Sequence, residues 1–299
     1  MASQALSSGL EQAPLGGPGY MLRILSVLLG RNARLWLRFR VSMVMDLLGG
    51  AAQASVFFFL GTTLVASGQQ AWQTNYTAFL AIGIVFNSVM SASLSGPYQA
   101  LSMDYWMQRL ETILLSPCPV GLSVLSQVGW SYARTLLNVL ILAAVGWAFG
   151  AHVQTTGVNG LLTLLALLLA AVAVLGFGLM SAAMFMLINA KGWNDPISWI
   201  VGILQGLVTG VYFPITLLPG WLHALAMLLP QTYAIDAARR LLLANAGSPP
   251  LLEIGSLSAV QADPIALACA ALILPALGAA LFAAGLAKAR NDGGLSRWT

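Results

Sequence analysis

Lys191 and Lys288 are the two lysines of the chain, standing in Asn-Ala-Lys-Gly and Leu-Ala-Lys-Ala. Binding nucleotide phosphates in a P-loop needs a glycine-rich turn ending in Gly-Lys-Ser/Thr, so that backbone N–H groups and the lysine wrap the anion. Neither lysine follows a glycine, so the chain carries no Walker motif and no cofactor is expected on it. Asp46 and Arg134 are charges inside apolar segments, which by default mark a functional position. They lie at similar depth and are expected to pair as a buried ion pair, the alternative being an Arg134 that snorkels to the interface. One acid beside a permanently charged arginine makes a poor proton relay. His152 and His223 are isolated, and Cys118 and Cys269 fall in an expected loop and an expected span, so neither a metal site nor a disulfide is anticipated. Asp236 with Arg239 and Arg240 at i+3 and i+4 reads as local ion pairing on a helix. No Ser/His/Asp set, carboxylate pair or His/Cys cluster stands out, and catalysis is not expected.

The elements that must position these residues are set by composition. Of 299 residues, 59% are hydrophobic and 7% are charged, with a mean hydropathy of +0.83. Soluble domains carry about 25% charged residues, so the chain is an all-α integral membrane protein. The net charge of +4 is no nucleic-acid signal, because the basic residues stand beside apolar spans. Six segments have the length and apolarity to cross: 41–65, 76–95, 124–150, 161–188, 197–212 (continuing to 217) and 265–287. Arg23, Arg31, Arg34, Arg38 and Arg40 precede the first, Arg109 and Lys191 sit in the second and fourth connections, and Lys288, Arg290 and Arg297 follow the last. The positive-inside rule then places both termini in the cytosol and the chain in the cytoplasmic (inner) membrane. Residues 1–20 are a Gly/Pro-rich tail without an apolar core, so no cleavable signal peptide is expected. Residues 21–40 gather their arginines near one helical face and read as an amphipathic helix in the cytosolic interface. Residues 41–287 form the transmembrane domain, and 288–299 a cytosolic tail.

Between the last two spans, residues 212–243 are apolar enough for a membrane but cut into pieces too short to cross one. Pro214, Pro219 and Pro230 each remove a backbone donor and disfavour helix in the residue before them. The helix between Pro219 and Pro230 is thereby held to about 16 Å, against a bilayer core of about 30 Å. Residues 213–243 are read as a short re-entrant hairpin on the external side, followed by an external loop at 244–263.

The fifth span carries Gly202, Gly206 and Gly210 at i, i+4 and i+8, a flat face suited to close helix packing either with a second chain or within this one. A polar stripe of Ser198, Gln205, Thr209 and Tyr212 runs beside it. Similar stripes lie on Ser42, Asp46, Gly49 and Gln53, on Asn87, Ser91 and Ser95, and on Ser123, Gln127, Ser131, Arg134 and Asn138. Such groups are costly against lipid and should face protein or water.

The hairpin reads Phe-Pro, four residues, then Pro-Gly-Trp-Leu at 219–222, and Pro-x-Thr-Tyr-Ala-x-Asp-Ala-x-Arg from Pro230 to Arg239. This resembles the C-terminal signature of the type-2 ABC exporter permeases. Residues 99–121 resemble that family's cytosolic coupling segment: Leu114-Leu115-Ser116-Pro117 fits it well, while Arg109-Leu110-Glu111-Thr112 departs from the usual Gly-Thr-Leu-Glu order. The resemblance implies an exporter subunit whose ATP and magnesium sit on a separate ATPase, present in two copies. It implies ATPase docking through Gln108, Arg109, Leu110, Glu111, Thr112, Leu114 and Leu115, and a connecting helix at 21–40 against the ATPase. It also implies pairing with a second copy of this permease or a homologous one at Gly202, Gly206 and Gly210. A translocation path for an amphipathic substrate (a drug, a lipid or a lipid-linked glycan) would pass Phe86, Asn87, Met90, Ser91, Gln205, Thr209 and Tyr212. An external gate would be formed by Phe213, Pro214, Pro219, Gly220, Trp221 and Pro230, with membrane lipids around the assembly.

An autonomous secondary transporter or channel with discontinuous helices is the competing reading. Few buried carboxylates are available for ion coupling, and no inverted repeat is evident. A membrane transferase would need paired acids or a metal motif at one interface, and the nine acids are scattered.

Overall fold

The computed structural model describes residues 18–66, 76–107, 109, 113, 120–148, 157–187, 195–212, 215, 218–243 and 259–291. Their regular elements are helices: α1 (Pro18–Arg38), α2 (Arg40–Ala66), α3 (Tyr76–Trp106), α4 (Val120–Ala148), α5 (Gly157–Leu187), α6 (Pro196–Val208), α7 (Gly220–Met227), α8 (Pro230–Leu242) and α9 (Ala259–Asn291). Among the described residues, four helices are long and apolar enough to cross a membrane, at Ala78–Trp106, Val120–Ala148, Gly157–Leu187 and Pro264–Ala289. Their outer faces carry exposed side chains such as Trp147, Leu161 and Leu272, as expected where lipid is the solvent.

Several boundaries differ from the sequence-based expectations. The fifth apolar segment does not stay helical to Tyr212, because α6 ends at Val208 after 13 residues. That gives about 20 Å of helix, short of a bilayer core. Helix α3 runs on to Trp106 and takes residues 99–106 out of the expected connecting segment. Helix α9 begins at Ala259, inside the stretch read as external loop, and α1 begins at Pro18 instead of Met21.

Helix α5 is the centre of the bundle, with its most extensive contact against α9 and further contacts with α3 and α8. Two prolines explain how backbones come so close. Pro97 lies inside α3 and cannot donate to the Ser93 carbonyl one turn back. Gly178 of α5 passes that spot, where a Cβ would stand 2.4 Å from the Ser93 oxygen. At the α5–α9 crossing Gly176 lies directly against the Leu274–Pro275 peptide, where a Cβ would stand 2.4 Å from the Leu274 carbonyl carbon. Small residues at such crossings are how helices associate in lipid, where apolar burial supplies little drive.

The main core joins α3, α5, α8 and α9 through Phe86, Met90, Val174, Ile235 and Leu267. A second core at the other end of α3 gathers Leu101, Tyr105, Val124 and Phe185. Helix α1 packs on α4 and is nearly continuous with α2, the ladder crossing the junction through Met43 N–H to the Phe39 carbonyl at 3.1 Å.

Candidate functional site

The break after α6 is built from its last residues. Thr209 caps the helix and its hydroxyl donates back to the Gln205 carbonyl at 2.5 Å. Gly210 then takes φ +81, a left-handed conformation that L side chains rarely adopt, and the chain leaves the helical path. The carbonyls left without helical partners after α6 are met by Arg239 of α8, whose Nη1 donates to the Gly210 oxygen at 2.6 Å and Nη2 to Val211 at 3.0 Å; Nη2 also donates to the Phe79 carbonyl inside α3 at 3.3 Å. The guanidinium lies 3.4 Å from the centroid of the Phe79 ring, a cation–π contact, and Arg239 is 6% exposed. Gly83 of α3 makes room for this, since a Cβ there would fall 2.4 Å from the Val211 oxygen.

Helices α7 and α8 form a hairpin tied by side chains of the Pro-x-Thr-Tyr stretch. Thr232 Oγ1 donates to Ala226 O and Tyr233 Oη to Met227 O, both at 2.7 Å, satisfying carbonyls at the end of α7. Pro230 opens α8 at its first turn and is buried, whereas Pro219, Gly220 and Trp221 at the start of α7 are exposed. Phe213 and Pro214 lie outside the described residues. The expected local ion pairing on α8 divides: Arg240 Nε sits 2.5 Å from Asp236 Oδ2, while Arg239 turns into the bundle.

The polar stripe on α6 faces α3 of the same chain. Gln205, 2% exposed, donates to Asn87 Oδ1 at 3.1 Å, to Asn87 O at 3.2 Å and to Ser91 Oγ at 3.3 Å. Ser198 Oγ reaches Leu94 O and Ser181 Oγ, each at 3.3 Å, and Ser181 bonds to Asp195. Asp195 also caps α6, accepting the N–H groups of Ile197 and Ser198 at 3.1 Å ahead of Pro196. Asn87, Ser91, Gln205 and Thr209 are thus brought together, and Tyr212 packs beside them against the core. Phe86 and Met90 are buried in the main core of the described residues, 2% and 0% exposed. The expected flat glycine face is also shorter than three residues. Gly210 belongs to the turn, a Cβ on Gly202 would touch Leu94 at 3.9 Å, and Gly206 has open space beside it.

At the opposite end of α3, Asp104 is 2% exposed and gathers three partners. Its Oδ2 accepts from Gln127 Nε2 at 2.8 Å and Ser123 Oγ at 3.1 Å, and its Oδ1 lies 3.4 Å from Arg109 Nη2. Of the expected docking residues, Arg109 is described; Gln108, Leu110, Glu111, Thr112, Leu114 and Leu115 lie outside the described residues. Beside Asp104, a cleft of about 920 Å³ opens between α1, α3 and α4, walled by Trp36, Tyr98, Trp106, Gln127, Trp130 and Arg134. Arg134 Nη2 stands 2.6 Å from Asp46 Oδ2, and Trp36 Nε1 donates to the same oxygen at 3.1 Å. With side-chain exposures of 44% and 30%, Arg134 and Asp46 are joined but not buried within this chain.

Asp104, Asp195 and Arg239 carry most of this polar architecture, and none was singled out alone from the sequence. The Asp195-Pro196 pair is a readable helix start. The other two depend on which helices they face.

A family model described as ABC-2 type transporter matches residues 24–243, from α1 to the end of the hairpin. The chain is similar to Nodulation protein J of Rhizobium meliloti (strain 1021), 27% identical over 249 residues, covering 81% of this chain and 90% of that protein. It is similar to Nodulation protein J of Sinorhizobium fredii (strain NBRC 101917 / NGR234), 26% identical over 235 residues, covering 76% and 84%. With that of Rhizobium leguminosarum bv. trifolii it shares 25% over 243 residues, covering 80% and 90%.

Proposed function

The chain belongs to the ABC-2 type transporter family, and from that premise we propose that it is one of two permeases in an exporter driven by two separate ATPase subunits. The match over residues 24–243 carries this reading, because it spans the interfacial helix, the bundle and the hairpin together. As a membrane-spanning subunit the chain would contribute α2 and the α6 region as further crossings, bringing the total to six. The short α6 crosses only if residues after Gly210 or the neighbouring helices complete its path. The arginines around α1 would lie on the cytosolic side of the inner membrane, with both termini there. The hairpin of α7 and α8 would then stand at the external mouth.

The residues around Arg109 would receive the ATPase, and Asp104 would hold that segment to α3 and α4. Closure of two ATPases would rock these helices and, through the bundle, part the hairpins of the two permeases. The face of α6 around Gly206, with exposed Trp199, Ile203 and Leu207, would meet the second permease. An amphipathic substrate (a drug, a lipid or a lipid-linked glycan) suits a route bordered by both apolar and amide groups. Affinity purification of the tagged chain from its native membrane tests the assignment. A P-loop ATPase should come with it, in equal amounts for two copies of this chain or twofold for a mixed pair of permeases; recovery of a chain that moves solute with no ATPase bound would refute it.

A further inference from the structure

The cleft between α1, α3 and α4 has a wall chemistry that narrows what can occupy it. Its volume of about 920 Å³ is that of a small-molecule site. Trp36, Trp106, Trp130 and Tyr98 offer apolar ring faces, and Gln99 and Gln127 offer amides that both donate and accept. Arg134 is the one charged residue among those lining it, and its charge is matched by Asp46 at 2.6 Å. A phosphate headgroup would therefore meet a cation whose charge is already offset and would stand close to the Asp46 carboxylate. An uncharged ring or chain bearing hydroxyl groups meets aromatic faces and amides at no such cost. Helix α1, amphipathic and packed on α4, sets the cleft at interface depth, where a lipid headgroup rather than an acyl chain resides.

One wall residue also belongs to the polar cluster beside it. Gln127 lines the cleft and at the same time donates to Asp104 at 2.8 Å, and Asp104 lies 3.4 Å from Arg109 at the start of the expected ATPase-facing segment. We propose that this cleft binds the uncharged, hydroxyl-rich headgroup of a membrane amphipath, and that occupancy is relayed to the ATPase-facing segment through Gln127, Asp104 and Arg109. A headgroup hydroxyl competes for the Gln127 amide, and Asp104, buried and left with fewer donors, draws harder on Arg109. Cargo and a resident lipid present the same headgroup chemistry to the cleft. The relay rests on the exporter reading above; the binding site does not.

The test uses the chain with its ATPase in phosphatidylcholine vesicles doped with glucosyl diacylglycerol, phosphatidylglycerol or plain diacylglycerol at equal fraction. Glucosyl diacylglycerol should raise ATP hydrolysis about fivefold, a typical coupling, and the other two should leave it unchanged. Gln99→Leu, which alters the wall but makes no contact with Asp104, should shift the half-saturating lipid fraction upward and keep the maximal stimulation. Asp104→Asn should lose the stimulation while native mass spectrometry of the variant still finds the glucosyl lipid bound. Equal stimulation by phosphatidylglycerol, no response to the glucosyl lipid, or a full response in Asp104→Asn would overturn the proposal. A complex that assembles but ignores the lipid refutes this inference alone. If no ATPase assembles, the exporter reading fails, and lipid binding by the isolated chain still decides the cleft. Depletion of the lipid from the ATPase-side leaflet assigns the headgroup to cargo, and an unchanged distribution assigns it to a resident lipid; both support the site.

Discussion

Arg239 Nη1 donates to the Gly210 carbonyl at 2.6 Å, so a cation from the hairpin closes the broken end of the helix that precedes it. The two elements are 29 residues apart in sequence and cannot move independently while this contact holds. Arg239→Met should expose the cost of leaving buried carbonyls without a donor, lowering stability by about 3 kcal/mol. Arg239→Lys keeps the charge but loses the planar fork and the ring stacking, and should recover only part of that. Unfolding of the purified variants in graded denaturing detergent gives the comparison. Equal stability of Arg239→Met and the parent chain would remove the lock.

The α3–α5 crossing predicts a graded glycine series. Gly178→Ala puts a Cβ 2.4 Å from the Ser93 carbonyl and should cost about 1–3 kcal/mol, because two backbones must separate. Gly206→Ala meets nothing and should be neutral or stabilising by up to about 1 kcal/mol from helix propensity. Thermal midpoints of the two variants should differ in that order, and a reversed order would contradict the packing.

Gly206 separates association from folding. Gly206→Leu should leave expression and insertion nearly intact while lowering the dimer fraction and transport, if that face of α6 meets a second permease. Cysteine at Gly206, with Cys118 and Cys269 replaced, should crosslink between copies. Absence of any crosslink in resting and ATP-bound states would exclude a homodimer at α6 and leave a mixed pair of permeases.

Asp104, buried against α4, and Glu111, an expected ATPase contact, test the proposed coupling region separately. Glu111→Lys should weaken ATPase co-purification about tenfold with the chain still inserted, as expected for loss of a charged interface contact. Asp104→Ala removes a buried acceptor of three groups and should lower chain stability as well as hydrolysis. Unaltered co-purification with Glu111→Lys would move the docking surface elsewhere.

The membrane class and the short hairpin were legible because both follow from local chemistry: few charges over long apolar runs, and three prolines within 17 residues of one another. Helix α6 ends at Val208, short of the expected span over 197–212 that continues to 217. Apolar residues resume at Val211 and Tyr212, ahead of Pro214, and the left-handed turn at Gly210, held by a distant arginine, ends the helix before them. Counting Gly210 into a helical stripe was the same error. Gln205 is expected to line a route; within the chain its amide nitrogen donates to Asn87 and Ser91 on α3, while its Oε1 is buried without a hydrogen-bond partner among the described residues. Spacing puts a polar residue on a face; which neighbour that face meets depends on tertiary packing. Asp46 and Arg134, 88 residues apart, were matched by depth alone, which works for residues at one interface but gives no exposure.

ATP hydrolysis with the catalytic lysine placed or removed on one subunit tests the central claim most directly. The purified chain alone should show no magnesium-dependent hydrolysis. Adding its ATPase should give hydrolysis that vanishes when the P-loop lysine of the ATPase is replaced. Hydrolysis by the single chain, or hydrolysis that persists after that replacement, would contradict the assignment of this chain as the permease alone.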